Sequence, residues 1–370
     1  MKRARGPRAA IISVLLLGLL VFGGVYFAWN TASDIFQPVS PPGAGKVIHI
    51  TIRSGETTAQ IADDLQAKGL IRNALAFRIW AKIKGLDTQL QAGVYTKLST
   101  SMTISEIVDQ LLNGQPDAYA VLIQEGWRLE QIAKQFGAAG LVKFKADEFL
   151  KYTKHPDQFP DADKYPILKS IPAGSGMEGL LFPDTYNVPV DYTARDVVNL
   201  MLQEFNDKVK QNNLDKLAQQ NKLTLYQAVI LASIVEREAI FDADRGGIAS
   251  VYWNRIKRPN DETVGLLDAD PTVQYARDSQ SPPKKYWAPL ADAAINTVPG
   301  SAWNTYTHKG WPPTPICSPG LKSLLAAAAP AKTDDYFFLN IPAGKPNAGH
   351  AVFAKTKAEF DQDVKKYLQS

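Results

Sequence analysis

An uncharged apolar stretch near the N-terminus is the feature that most constrains how this chain of 370 residues folds. It runs from Ala9 to Trp29, and about 21 helical residues at ~1.5 Å each cross a hydrocarbon core of ~30 Å. Basic residues precede it, which favours a cytoplasmic N-terminus. We therefore predict a basic cytoplasmic tail over residues 1–8, a transmembrane helix over 9–29 and a linker over 30–46. Everything beyond would be extracytoplasmic, in a single-pass protein of the cytoplasmic (inner) membrane.

A cleaved signal peptide is the alternative for this stretch. The apolar region of a signal peptide is usually shorter, and no clean small-residue cleavage site follows Ala28. The pattern therefore favours an anchor that stays attached.

Charge and composition exclude several classes of protein. The net charge is +4, and four of the positive charges lie in the first eight residues, so the remainder is near neutral and nothing indicates a nucleic-acid partner. The single cysteine, Cys317, excludes an intrachain disulfide. The four histidines fit no metal-ligand spacing, and no Gly-rich phosphate loop is present. We predict no metal and no cofactor.

An internal repeat follows the linker. Residues 50–70 and 121–141 align through Gly55 and Gly126, and both copies then continue with Gln-Ile-Ala and end in Gly-Leu. Apolar residues alternate before each glycine and have helical spacing after it, which predicts strand–turn–helix units. Residues 102–112 repeat the helical part alone. Such units resemble LysM-like modules, which bind amino-sugar polymers, and we assign residues 47–150 to them. The alternative is a spacer of the same fold without a ligand.

The remainder, residues 151–370, has longer helices and aromatic loops. Residues 195–220 and 224–238 are the best helix candidates, and Thr224 is a possible N-cap for the second. Residues 336–341 and 351–354 have strand character, and a last helix is expected over 357–368. The predicted fold class is α+β, with a mostly helical C-terminal domain.

One carboxylate interrupts a buried pattern. Glu238 continues the apolar stripe of Ile234 and Val235 on the predicted helix. Burial disfavours the charged form, so the pKa of Glu238 should rise to a value useful for a general acid. The alternative is a helix-end glutamate that reaches solvent. Glu236 lies roughly 200° around the same helix, so the two carboxylates cannot enter one pocket.

Six blocks of sequence occur in the order that is typical of one enzyme family. They are GMEGLLFPDTY at 176–186, ASIVERE at 232–238, VYWNRI at 251–256, DPTVQYA at 270–276, NTYTHKGWPPTPICSPG at 304–320 and GHAVFAKTKAEF at 349–360. Through them the chain resembles the endolytic murein transglycosylases, the YceG-like (MltG) family, over nearly its whole length after the anchor. The resemblance implies a lysozyme-like, YceG-like catalytic domain over residues 151–370.

The activity implied by this resemblance is non-hydrolytic cleavage of the β-1,4 bond between N-acetylmuramic acid and N-acetylglucosamine, which leaves 1,6-anhydro ends. One carboxylate suffices, whereas ordinary glycosidases use two. The resemblance assigns this role to Glu238, and Glu236 is the second choice. The implied partners are peptidoglycan glycan strands, the membrane and peptidoglycan synthases.

Sugar binding also needs aromatic faces and amide or hydroxyl groups. Candidate residues in the matching blocks are Asn254, Gln274, Tyr275, Asn304 and Tyr306. For each, the alternative is a structural hydrogen bond that holds a loop. Asp184 and Asp270 are expected to cap loops.

Two rival functions remain open at this point. One is a catalytically inactive wall-binding scaffold that recruits synthases. The other is a glycan hydrolase that uses water, with Asp184 or Asp270 as the partner carboxylate.

Overall fold

The computed structural model describes residues 34–53, 55–86, 89–112, 118–281, 283–290, 298 and 300–369. The predicted cytoplasmic tail and transmembrane segment lie outside these residues. Within them, no helix has both the length and the apolar character needed to span a bilayer.

The chain divides into two compact units, and the first ends at Ala118. Its described residues form two short strands and three helices: β1 (Ile50–Ile52), α1 (Thr58–Ala67), α2 (Ala74–Ile83), β2 (Gly93–Tyr95) and α3 (Ile104–Leu111). The strands pair antiparallel, with Ile50 opposite Tyr95 and Ile52 opposite Gly93. Apolar residues from both strands and all three helices form its core, so this small unit has a core of its own.

The second unit begins at Tyr119. In the part of this unit that the structure describes, the strands form two pairs, β3 with β4 and β5 with β6, and the second pair is antiparallel. The strands are β3 (Ala118–Leu122), β4 (Thr185–Pro189), β5 (Phe337–Asn340) and β6 (Ala351–Ala354). The helices are α4 (Leu129–Ala138), α5 (Ala146–Lys154), α6 (Ala194–Gln211), α7 (Leu214–Gln220), α8 (Leu225–Glu238), α9 (Arg245–Lys257), α10 (Asp270–Gln280), α11 (Leu321–Ala328) and α12 (Lys357–Leu368). This mixture of helices and strands agrees with the predicted α+β class.

Both copies of the repeat have the predicted strand–turn–helix form. β1 leads through Gly55 into α1, and β3 leads through Gly126 into α4. The two glycines have φ angles of +87° and +76°, a backbone region that favours glycine. The copies belong to different compact units, because the division falls at residues 118 and 119. The assignment of residues 47–150 to LysM-like modules, with a boundary at 150, stays a prediction.

The helix expected over residues 195–220 is broken in two. α6 ends at Gln211 and α7 begins at Leu214. Asn213 between them has a φ of +51°, a left-handed conformation that cannot continue a right-handed helix. The pattern of apolar residues did not reveal this break, because asparagine is tolerated both in a helix and in a turn.

Glu178 is a buried carboxyl group in the loop before β4. The residue is 4% exposed, and its Oε1 has no hydrogen-bond partner among the described residues. Burial raises the pKa of Glu178 to about 8, although the nearby Arg128 guanidinium opposes the rise. The carboxyl is therefore largely protonated at neutral pH.

This buried acid should make the stability of the protein depend on pH. Its pKa is raised from 4.5 to about 8, so the folded protein holds the proton more tightly than the unfolded chain. The resulting stabilisation is complete below the pKa of the unfolded chain. It is lost as the pH rises through the pKa of the folded protein, and the total loss is on the order of 5 kcal/mol. As the pH rises from about 5 to about 9, the free energy of unfolding should therefore fall less for Glu178→Gln than for the parent protein. Thermal unfolding across this range tests the prediction, and parallel curves for the two proteins would contradict it.

Candidate active site

The site is built on α8, a helix that is buried on nearly all sides. Thr224 caps its N-terminus through a capping box with Gln227. Every residue from Ala228 to Val235 is buried, as expected of a helix that is apolar all round. The helix ends at Glu238, because Ala239 adopts an extended conformation with φ −75° and ψ 123°. The predicted N-cap and helix end are both confirmed.

The Glu238 carboxyl lies where this helix leaves the core. Its Oε1 accepts a hydrogen bond of 3.0 Å from the Tyr252 hydroxyl on α9. Asn340, at the end of β5, donates from Nδ2 to the main-chain oxygen of Glu238 at 3.0 Å. The side chain and the backbone of Glu238 are thus held by different elements.

Burial raises the pKa of Glu238 to about 7. The hydrogen bond from Tyr252 lowers it, the negative charge of Asp270 raises it, and the positive charges of Arg255 and Arg237 lower it. The C-terminal end of a helix also disfavours a negative charge. At neutral pH the group therefore exists in both the acid and the carboxylate form, as a group that both gives and takes a proton must.

Asp270 and Tyr306 form a second pair beside Glu238. The Tyr306 hydroxyl donates to Asp270 Oδ1 at 2.7 Å. Burial raises the pKa of Tyr306, and its bond to Asp270 and the charges of Asp268 and Glu238 raise it further. Asp270 is the first residue of α10 and is exposed. Two acids of different character therefore lie at one site: a half-buried one on α8 and an exposed one on α10.

Arg255 fixes the positions of these elements. Its guanidinium donates to the Leu267 oxygen at 2.6 Å and to the Tyr336 oxygen at 2.7 Å. It also lies 3.2 Å from Asp268. One side chain on α9 thus holds the segment that leads into α10 and the segment that leads into β5. Sequence reasoning missed Arg255 and Tyr252, although their i, i+3 spacing on a helix places them on one face.

Comparison with known proteins identifies the family. The sequence profile of the YceG-like family matches residues 50–366. The chain belongs to the YceG-like family. The resemblance inferred from the six blocks is therefore confirmed.

Individual relatives extend this result. The endolytic murein transglycosylase of Bacillus subtilis is 31% identical over 362 residues, which cover 95% of this chain and 92% of the relative. That of Streptococcus pneumoniae D39 is 29% identical over 98% of this chain, but this chain spans only 66% of its length. The crystal structure of a YceG-like protein of Listeria monocytogenes matches with a TM-score of 0.55 and 28% identity, over 86% of this chain and 99% of that one.

Glu236, the second choice for the acid, lies in a different environment from Glu238. Its Oε2 accepts from the Gly320 backbone N–H at 2.9 Å, and its Oε1 lies 3.3 Å from Arg245 Nη1. Both contacts join α8 to neighbouring elements of this YceG-like domain. They give Glu236 a structural role, and the predicted separation of the two glutamates around the helix is confirmed.

Asn254 and Asn304 are buried, with exposures of 1% and 0%. The Asn254 amide donates to the main-chain oxygens of Thr333 and Asp335 at 3.1 and 2.8 Å. Asn304 Oδ1 accepts from the Tyr306 N–H at 3.1 Å. These contacts favour the alternative role for both residues, which is to hold loops, and the predicted contacts with sugar stay predictions.

Gln274 and Tyr275 lie on α10 and are both partly buried. Gln274 donates from Nε2 to the Ala288 oxygen at 3.3 Å. The Tyr275 ring packs against the Arg128 guanidinium at 4.2 Å and against the Trp303 ring at 5.8 Å. Of the candidate sugar contacts, Tyr306 is the one whose pKa is raised by the charge of Glu238.

Asp184, the other candidate for a second carboxylate, is engaged elsewhere. Its Oδ1 accepts from the Thr185 N–H at 2.7 Å, and its main-chain oxygen accepts from the Ile123 N–H at 2.9 Å. These contacts hold the start of β4 against β3. Asp184 therefore caps a loop, as expected, and Asp270 is the carboxylate that accompanies Glu238.

The contacts of Glu238 predict opposite effects of two substitutions on its pKa. Tyr252→Phe removes a hydrogen bond to the carboxylate and should raise the pKa of Glu238 above about 7. Asp270→Asn removes a nearby negative charge and should lower it, while the amide can still accept from Tyr306. NMR titration with labelled glutamate measures both changes. Asp184→Asn, the matched control, should change nothing, and shifts of the same sign in both variants would contradict the assignment.

Proposed function

We propose that this chain is an endolytic peptidoglycan lytic transglycosylase. It cleaves the β-1,4 bond between N-acetylmuramic acid and N-acetylglucosamine without water and leaves a 1,6-anhydro end. The observation that carries the proposal is the Glu238 carboxyl, whose pKa of about 7 suits it to donate and accept a proton at neutral pH. The names of the relatives from Bacillus and Streptococcus support it.

The reaction follows from one acid that acts twice. Protonated Glu238 gives its proton to the bridging oxygen, the bond to C1 of the muramic acid breaks, and positive charge develops on that sugar. The Glu238 carboxylate then takes the proton from the 6-hydroxyl of the same sugar, whose oxygen bonds to C1 and closes the anhydro ring. Glu238 ends protonated again, so no water is consumed.

The neighbouring residues support both halves of this cycle. The Tyr252 hydroxyl stabilises the carboxylate that forms after the first proton transfer, because it donates to Oε1. The Asp270 carboxylate raises the pKa of Glu238 and can stabilise positive charge on the sugar ring. Asp270 therefore acts through its negative charge, and Glu238 carries out both proton transfers.

A glycan hydrolase is the second candidate function, because the Asp270 carboxylate lies near enough to Glu238 to raise its pKa. In that scheme Asp270 would activate water, and the new end would keep that water. The two products differ in mass by one water molecule. Mass spectrometry of digested sacculi therefore separates the two functions. An inactive scaffold would release neither product.

Glu238→Gln should abolish turnover but keep the fold. The amide keeps the shape of the side chain but cannot carry the proton, and general acid–base catalysis is worth about 10²–10⁴-fold. Glu236→Gln, the matched control, can still accept from the Gly320 N–H, so it should keep most activity and lose some stability through Arg245. The measurement is the yield of anhydro-muropeptides from sacculi. Full activity of Glu238→Gln, or loss of activity only in Glu236→Gln, would overturn the assignment.

We further propose that the enzyme is held at the cytoplasmic membrane by residues 9–29 and acts on new strands beside membrane-bound synthases. The apolar length and the basic tail support this topology. The first unit, with its strand–helix–helix–strand order and its own core, is proposed to bind the glycan.

An arginine within the apolar segment tests this topology. Leu17→Arg or Leu20→Arg should weaken insertion by roughly 2.5 kcal/mol or more. The fraction of protein that sediments with membranes should fall, whereas Leu75→Ala, an exposed position in α2, should leave it unchanged. A reporter fused after Ser370 that is active only in the cytoplasm would contradict the orientation.

A further inference from the structure

Two large apolar side chains stay exposed directly after Glu238. Ile240 is 62% exposed and Phe241 is 40% exposed. Three residues of chain span at most about 10 Å, so the Cα atoms of both residues lie within that distance of the Glu238 Cα. Exposed apolar groups that lie together at a functional site commonly contact a ligand.

These side chains are exposed but held in place. The Phe241 ring stacks on the His350 ring, with 4.2 Å between centroids and 18° between planes. His350 Nδ1 in turn lies 3.1 Å from Asp244 Oδ2. Gly349 packs so closely that a Cβ there would lie 2.9 Å from Phe241 Cε2 and 3.4 Å from Ile240 Cγ2. The surface is therefore a preformed apolar lip, defined by Ile240, Phe241 and His350.

The side chain of Asn340 belongs to a segment next to this lip, because the following residue, Ile341, donates its N–H to the His350 oxygen at 2.9 Å. Asn340 uses its Nδ2 to hold the Glu238 main chain, but its Oδ1 is buried and has no hydrogen-bond partner among the described residues. A buried oxygen left without a donor costs about 1–3 kcal/mol. A ligand with an N–H or O–H group would supply that donor.

We propose that the apolar lip and Asn340 Oδ1 form a subsite for one amino-sugar unit of the glycan, next to the bond that Glu238 breaks. The C–H face of the sugar packs on the exposed face of Phe241, whose π-surface carries partial negative charge. The acetamido N–H, or a hydroxyl, donates to Asn340 Oδ1. This inference rests on the proposed function, because it takes the glycan to be the substrate.

The size of the lip argues against a protein partner. A specific protein interface buries about 1,200 Å² or more in total, far beyond what three side chains offer. A sugar ring needs only one aromatic face and a few polar groups. The position beside Glu238 also fits a subsite, because the acid must contact the bond between two bound sugars.

Binding should be measured in the Glu238→Gln background, where the ligand is not consumed. The probes are soluble oligomers of N-acetylglucosamine and uncrosslinked peptidoglycan strands, titrated by calorimetry. Phe241→Ala should weaken binding by roughly threefold to tenfold, the effect of one aromatic contact. Phe241→Leu should weaken it less. Leu122→Ala, at a 49% exposed apolar position on β3, is the matched control and should bind as the parent does.

Several outcomes would overturn the subsite. One is that a folded Phe241→Ala variant binds glycan as the parent does, and another is that Leu122→Ala loses as much glycan binding as Phe241→Ala. A third is that Phe241→Ala loses binding to anionic lipid vesicles but keeps its binding to glycan. With Glu238 present, Phe241→Ala should raise KM for glycan strands and leave the anhydro product unchanged. If Phe241→Ala changes neither binding nor KM while the parent enzyme still forms anhydro ends, the subsite alone is rejected. Absence of anhydro ends from the parent enzyme would reject the proposed function.

Discussion

The burial of α8 is the constraint on which the rest of the catalytic unit depends. A helix with every residue from Ala228 to Val235 in the core can neither rotate nor slide without opening cavities. Its C-terminal carboxylate is therefore fixed at the edge of the core, where water is partly excluded and the helix end disfavours negative charge. The free energy that stabilises the fold thus also sets the proton affinity of Glu238.

The same helix shows how environment separates two identical side chains. Glu236 accepts from a backbone N–H and faces Arg245, so its charge is matched within the protein. Glu238 accepts a hydrogen bond from the neutral Tyr252 hydroxyl, and its pKa is raised. Two residues of sequence separation, which is more than half a turn, are enough to give one glutamate a structural role and the other a proposed catalytic role.

Local features of this fold could be predicted from the sequence, and long-range ones could not. The N-cap at Thr224, the end of α8 and the strand–turn–helix units depend on residues within one or two turns of each other. The family resemblance located the blocks that carry the site. Neither revealed that Arg255 ties two segments together, and the sequence left open whether the Asn254 amide holds a loop, because these contacts join residues 12 to 81 positions apart.

The presence of Asp270 beside Glu238 does not by itself make the site a two-carboxylate hydrolase. Asp270 Oδ1 accepts from the Tyr306 hydroxyl, which holds the carboxylate in place beside Glu238. The negative charge of Asp270 raises the pKa of Glu238, and in the proposed reaction it would also stabilise the positive charge that develops on the sugar. Under the proposed function Glu238 carries out both proton transfers, including the one from the sugar's own hydroxyl that closes the ring, and Asp270 contributes its charge.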